Sequence, residues 1–131
     1  MRSLIVEDDF TTRTVLARLL GEFGPTDVAV NGLEALEAIE KAHEARAPYD
    51  FATFDLNMPE MDGLAALHEL RNRETSRGVA FMKGLKILII SGREDFASVA
   101  TAFRAGCEAY LIKPIDRNTL YPKLRELGLI T

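Results

Sequence analysis

Short apolar runs alternate along this chain with longer stretches in which apolar residues return every three or four positions. Leu4-Ile5-Val6, Asp27 to Val30, Phe51 to Phe54, Lys86 to Ile90 and Tyr110-Leu111-Ile112 have the length and side chains of strands. Between them, helical spacing predicts helices over Thr11 to Phe23, Leu33 to Ala45, Leu64 to about Arg71, Phe96 to Ala105 and Asn118 to Leu127. The first of these places Val15, Leu16, Leu19, Leu20 and Phe23 on one stripe. Gly24-Pro25, Pro48 and Gly106 punctuate the series. Strands alternating in this way with helices predict a parallel sheet covered on both faces, an α/β sandwich of five βα units.

Two segments fit less well. Pro122 belongs either in the first turn of the last helix or at a kink. The stretch Asn72 to Gly84 exceeds the about two to six residues usual between a helix and a strand, and mixes basic residues with the apolar Val79, Phe81 and Met82. It reads as a partner-binding insertion or a helix extension.

Composition narrows the class. At 131 residues the chain is expected to be a single domain spanning 1–131, without an output domain, repeat or linker. A hydrophobic share of 47% against 27% charged residues is that of a globular protein with a real core. The formal charge of -4 opposes polyphosphate backbones, so nucleic acid is disfavoured as the primary ligand. A lone cysteine, Cys107, allows no internal disulfide or cysteine-pair metal site and fits a reducing cytoplasm. Glu7, Asp8 and Asp9 interrupt the first apolar run too early for a signal peptide, and no run approaches the roughly 20 residues that a spanning helix needs, so no membrane insertion is expected.

In an open parallel sheet, ligands bind beyond the carboxyl ends of the strands. Residues scattered along the chain converge there: Asp8 and Asp9 after the first strand, Asp55 after the third, Ser91 after the fourth and Lys113 after the fifth. Three carboxylates on one rim repel each other unless a cation neutralises them, and an all-oxygen donor set points to Mg²⁺. Carboxylates, a divalent metal, a hydroxyl and a lysine together suit a phosphoryl group, with Asp55 as the nucleophile.

These residues resemble the receiver domains of two-component response regulators, single-domain chemotaxis regulators included. The resemblance covers nearly the whole chain. It rests on Glu7-Asp8-Asp9, on Asp55-Leu56-Asn57-Met58-Pro59-Glu60-Met61-Asp62-Gly63, on Ser91-Gly92 and on Tyr110-Leu111-Ile112-Lys113-Pro114, in that order. It implies a flavodoxin-like (βα)5 fold with parallel strand order 2-1-3-4-5. It further implies Asp55 as phosphoacceptor, Asp9 as a direct Mg²⁺ ligand, Asp8 as a ligand through water and Asn57 as donor of a backbone carbonyl to the metal. Ser91 matches the hydroxyl that bonds the phosphoryl group, Lys113 the lysine that bridges the site, Tyr110 a switch aromatic, and Pro114 a proline often preceded by a cis bond. The domain would catalyse its own phosphorylation and dephosphorylation while acting as a signalling protein rather than an enzyme. Expected partners are a histidine kinase or histidine phosphotransfer protein, and a downstream target or second copy at the surface of the fourth helix, fifth strand and fifth helix. Gly92 departs from the commoner alanine, and Arg93 stands where it can reach the phosphoryl group or a partner.

Plainer roles compete for several of these residues. Any one Asp after a strand is commonly a helix cap. Ser91 competes weakly as a cap, because Glu94 or Asp95 lies closer to Phe96. Tyr110 also suits simple edge packing, Cys107 a small buried filler, Phe81 and Met82 a satellite core, and His43 and His68 solvated helix positions. Rival functions are a phosphorelay intermediate, a constitutive binding module, and an aspartyl-phosphate phosphatase. The last wants a second acid two residues beyond Asp55, where Asn57 stands.

Overall fold

In the computed structural model, which describes residues 1–56, 58, 61–80 and 83–131, five strands and five helices alternate through the chain. The strands are β1 (Ser3–Val6), β2 (Thr26–Ala29), β3 (Phe51–Asp55), β4 (Lys86–Ser91) and β5 (Ala109–Ile112). The helices are α1 (Phe10–Gly21), α2 (Gly32–Glu44), α3 (Gly63–Ser76), α4 (Phe96–Ala105) and α5 (Arg117–Glu126). The sheet is parallel throughout with order β2-β1-β3-β4-β5, the expected doubly wound arrangement.

Alternation along the strands divides the core between two faces. Leu4, Val6, Ala52, Phe54, Ile87 and Ile89 pack with Ala35, Leu36 and Ile39 of α2 and with Ala66, Leu67 and Leu70 of α3. Ile5, Phe51, Leu88, Ile90 and Leu111 pack on the other side with Leu16, Leu19 and Leu20 of α1 and with Leu120 and Leu124 of α5. Each fully buried leucine or isoleucine contributes about 1.5–3 kcal/mol, so both helical layers are held chiefly by such anchors.

Local chemistry sets the helix starts. Asp9, Asn31, Asp62, Asp95 and Asp116 cap α1 to α5 in turn, each side chain accepting a backbone N–H three residues ahead. Asp95 rather than Ser91 therefore begins α4. Gly63 lies so close to β3 that a Cβ there would stand 2.0 Å from the Asp55 carbonyl oxygen. Only glycine lets α3 start directly over the end of that strand.

Two expectations need correction. α3 runs on past Arg71 to Ser76, so the first part of the long connection is helix. Its last turns carry no apolar stripe; ion pairs hold them instead, Arg73 with Glu69 at 3.0 Å and Arg77 with Glu40. Phe81 and Met82 lie outside the described residues. Pro122 is the sixth residue of α5, beyond the first turn, and the helix continues through it. Because proline has no N–H, the Asn118 carbonyl lacks its usual helical donor there. Among the described residues, no helix is long and apolar enough to cross a membrane. Cys107 is buried, which raises its thiol pKa to about 12, and His43 and His68 lie exposed on their helices.

Candidate functional site

The strand register fixes which residues share the rim. Val6 pairs with Phe54, Asp55 with Ile90, and Ser91 with Ile112, so Glu7, Asp55, Ser91 and Lys113 emerge side by side at the carboxyl ends of β1, β3, β4 and β5. Two backbone bonds seat the flanking turns: Glu7 N–H donates to Ala29 O at 3.0 Å and Lys113 N–H to Ser91 O at 2.8 Å. The Lys113-Pro114 bond is cis.

Asp55 is 5% exposed and Glu7 1% exposed, whereas Asp8 faces solvent. One carboxylate oxygen from each of the three lies within 4.8 Å of the other two. Lys113 Nζ stands 3.7 Å from Asp55 Oδ2 and 3.2 Å from Glu7 Oε1. Glu7 Oε2 accepts the Asp9 N–H at 3.1 Å. Burial, followed by the hydrogen bond Glu7 shares with Asp55, raises the Glu7 carboxyl to about 7, against the pull of the Asp9 N–H and Lys113. Desolvation depresses Lys113, but the carboxylates of Asp55, Glu7 and Asp9 outweigh it and hold its ammonium above the ordinary lysine value.

Asp9 has a different place from the one expected. Its Oδ2 accepts Thr12 N–H at 2.9 Å and Thr12 Oγ1–H at 2.7 Å, which also lowers its pKa, so this side chain caps α1 and stands outside the acidic trio. Glu7, the first acid of the Glu7-Asp8-Asp9 run, occupies the buried corner instead. The signal was available in the strand pattern: Glu7 directly follows Val6, the last residue of β1, and therefore stays within the layer of the sheet. Asn57 lies outside the described residues.

Ser91 is fully buried, and its Oγ accepts the Arg93 N–H at 3.1 Å. The Arg93 carbonyl accepts the Tyr110 hydroxyl at 2.7 Å. One residue of the β4–α4 loop thus ties the hydroxyl beside the acids to a buried aromatic on β5. On the opposite side of the site, Arg13 Nη1 donates to the Asp8 carbonyl at 3.3 Å and its guanidinium stacks 5.3 Å from the exposed Phe10 ring.

The donor set suits a hard divalent cation. Three carboxylates face one ammonium, all donors are oxygens, and Glu7 Oε1 is buried without an aligned hydrogen-bond donor among the described residues.

Residues 3–125 match the family described as response regulator receiver domain. The chain is 33% identical to the chemotaxis protein CheY-3 of Vibrio cholerae over 129 residues, 97% of this chain and 91% of that protein. It is 33% identical over 132 residues to the sensory/regulatory protein RpfC of Xanthomonas campestris, of which it spans 17%. Among solved structures, a CheY-like response regulator receiver domain protein from Methanospirillum hungatei superposes with a TM-score of 0.77 at 26% identity, covering 96% of this chain and 91% of that one.

Proposed function

This chain belongs to the response regulator receiver domain family of two-component signalling, and from that premise we propose that it is a phosphorylation-driven switch whose phosphoacceptor is Asp55. The observation that carries the proposal is the approach of the Lys113 ammonium to the buried Asp55 carboxylate, 3.7 Å, on the rim shared with Glu7, Asp8 and Ser91. A carboxylate buried beside a cation and further acids is built for chemistry in which negative charge arrives and must be held.

In the proposed reaction an Asp55 oxygen attacks phosphorus in a phosphohistidine of a histidine kinase or phosphotransfer protein, or in a small phosphodonor. A P–O bond forms, the P–N bond to the imidazole breaks, and the imidazole leaves with the electron pair. Water later hydrolyses the acyl phosphate and restores the carboxylate. Lys113 neutralises charge on the phosphoryl oxygens, and the Ser91 hydroxyl offers them a hydrogen bond. Asp8, Glu7 and Asp55 would hold Mg²⁺, which supplies further neutralisation of charge during transfer. Asp8 replaces Asp9 as the exposed ligand in this assignment, Glu7 takes the buried side, and the Asn57 carbonyl remains the further donor implied by the resemblance.

Recruiting the Ser91 hydroxyl to the phosphoryl group removes the acceptor of the Arg93 N–H and loosens the loop that Tyr110 holds. The consequence is a shift between two arrangements of the α4–β5–α5 face, where a target protein or second copy binds in the cytoplasm.

Intact-mass measurement after incubation with Mg²⁺ and acetyl phosphate tests this reading. One phosphoryl adduct is expected, lost with a chelator and in Asp55→Asn. Persistence of the adduct in that variant overturns it.

A further inference from the structure

α4 is held very unequally along its length. Its buried residues are Ala102 and Ala105, both in its second half, whereas α1, α2, α3 and α5 all bury leucines. In the first half Phe96 is 87% exposed. A groove of about 440 Å³ borders that half, lined by Leu56 and Leu64 near the start of α3 and by Ala97, Ser98 and Thr101 of α4. From that half the partly buried Val99 packs against the core, no residue is fully buried, and there is space beside it.

The other end is clamped. Gly106 ends α4 at φ 106°, and its carbonyl accepts two bonds from Arg71, from Nε at 3.0 Å and from Nη2 at 2.7 Å. Nη2 also reaches Glu108 Oε1 at 2.7 Å, and Nη1 reaches Glu74 Oε1 at 2.7 Å and Leu85 O at 2.9 Å. Both acids are tied onward to the start of β4: Glu108 Oε1 accepts Ile87 N–H and Glu74 Oε2 accepts Leu85 N–H, each at 2.8 Å. The planar guanidinium spends its donors on α3, the β4 start and the α4–β5 turn at once.

We propose that α4 is a lever hinged at its C-terminal end: Arg71 clamps Gly106 and Glu108, while the Phe96–Thr101 half moves against the groove beside Leu56 and Leu64. What drives the lever rests on the proposed function, because residues 92–95 join Ser91 directly to Phe96 and carry any displacement of Ser91 to the free end. A clamp at the far end turns that displacement into rotation of the helix rather than sliding. Arg71 is in this account a positioning residue, remote from the phosphoryl site.

Amide hydrogen exchange, read residue by residue by NMR on the metal-free chain, tests the hinge. Simple fraying predicts fast exchange at both helix ends. The lever instead predicts that Val99, Ala100 and Thr101 exchange at least ~10-fold faster than Gly106 and Cys107, whose N–H groups bond Phe103 O and Ala102 O. Arg71→Lys, which keeps the charge and loses the fork, should bring Gly106 and Cys107 to the rate of the first half; Glu108→Gln should do so in part and serves if Arg71→Lys does not fold. Equal exchange along wild-type α4, or protection at Gly106 and Cys107 indifferent to these substitutions, overturns the hinge. Adding beryllofluoride with Mg²⁺ to the wild type should shift resonances of 92–101 and spare 102–106. Shifts of equal size along the whole helix contradict the lever, whereas an intact exchange gradient with no response to beryllofluoride supports the lever and counts against the phosphoryl switch.

Discussion

The Lys113 ammonium lies nearer to Glu7 Oε1, at 3.2 Å, than to the Asp55 carboxylate at 3.7 Å. The buried Glu7 is therefore an electrostatic partner of Asp55, the proposed phosphoacceptor, and it shares a hydrogen bond with Asp55 that requires a proton. Such a pair is at ease either protonated or facing a cation.

A pH dependence follows. The Glu7 carboxyl is raised from 4.5 to about 7, so between these values the folded chain holds a proton that the unfolded chain has released. Stability must then fall as pH rises through that window. At about 1.4 kcal/mol per pKa unit, the loss is on the order of 3 kcal/mol. Urea denaturation of the metal-free protein across that range should show the decline, Glu7→Gln should flatten it, and saturating Mg²⁺ should reverse it at the alkaline end.

Asp8 and Asp9 should separate cleanly on substitution. Asp9→Ala removes the cap of α1 and should cost about 1 kcal/mol of stability while leaving Mg²⁺ affinity within about threefold. Asp8→Ala should leave stability unchanged or slightly raised, since it relieves repulsion, and weaken Mg²⁺ binding by more than about tenfold. Calorimetric titration with Mg²⁺ beside denaturant melts measures both.

Ser91→Ala and Tyr110→Phe address the switch rather than the transfer. Tyr110→Phe removes the bond to the Arg93 carbonyl and should cost about 1 kcal/mol. Both variants should still form the Asp55 adduct but show a smaller response of α4 and β5 resonances to it, as read by two-dimensional NMR before and after acetyl phosphate.

Gly63→Ala probes the contact between α3 and β3. Its Cβ would meet the Asp55 carbonyl oxygen at 2.0 Å, so backbone must move beside the proposed phosphoacceptor. A loss of about 1–3 kcal/mol is expected, together with slower adduct formation, measured by denaturant melts and timed intact-mass sampling.

Much of this was legible in the sequence because the signals are periodic. Five apolar runs separated by amphipathic stretches marked the layers, and odd polar residues at strand ends marked the rim on which Asp55, Ser91 and Lys113 stand. The shift from Asp9 to Glu7 was hidden because three consecutive acids look alike until the strand end is fixed at Val6 and Thr12 claims Asp9. The end of α3 was hidden because Asn72 to Ser76 carry no apolar period, and the ion pairs that hold that turn join partners far apart in the chain, as Arg77 does with Glu40. The role of Arg71 is hidden in the sequence for a similar reason. Its partners Gly106 and Glu108 come within reach only when α3 and the α4–β5 turn pack together.

Trapping the acyl phosphate and locating it in the chain tests Asp55 as the phosphoacceptor. Borohydride reduces an aspartyl phosphate to homoserine, so reduction after incubation with acetyl phosphate and Mg²⁺, followed by peptide mapping, identifies the acceptor. Homoserine at position 55 alone, abolished by a chelator and strongly reduced in Lys113→Ala, is the predicted result. Homoserine at position 8 or 9, or none at all under conditions where acetyl phosphate is consumed, would contradict the assignment of Asp55 as the phosphoacceptor.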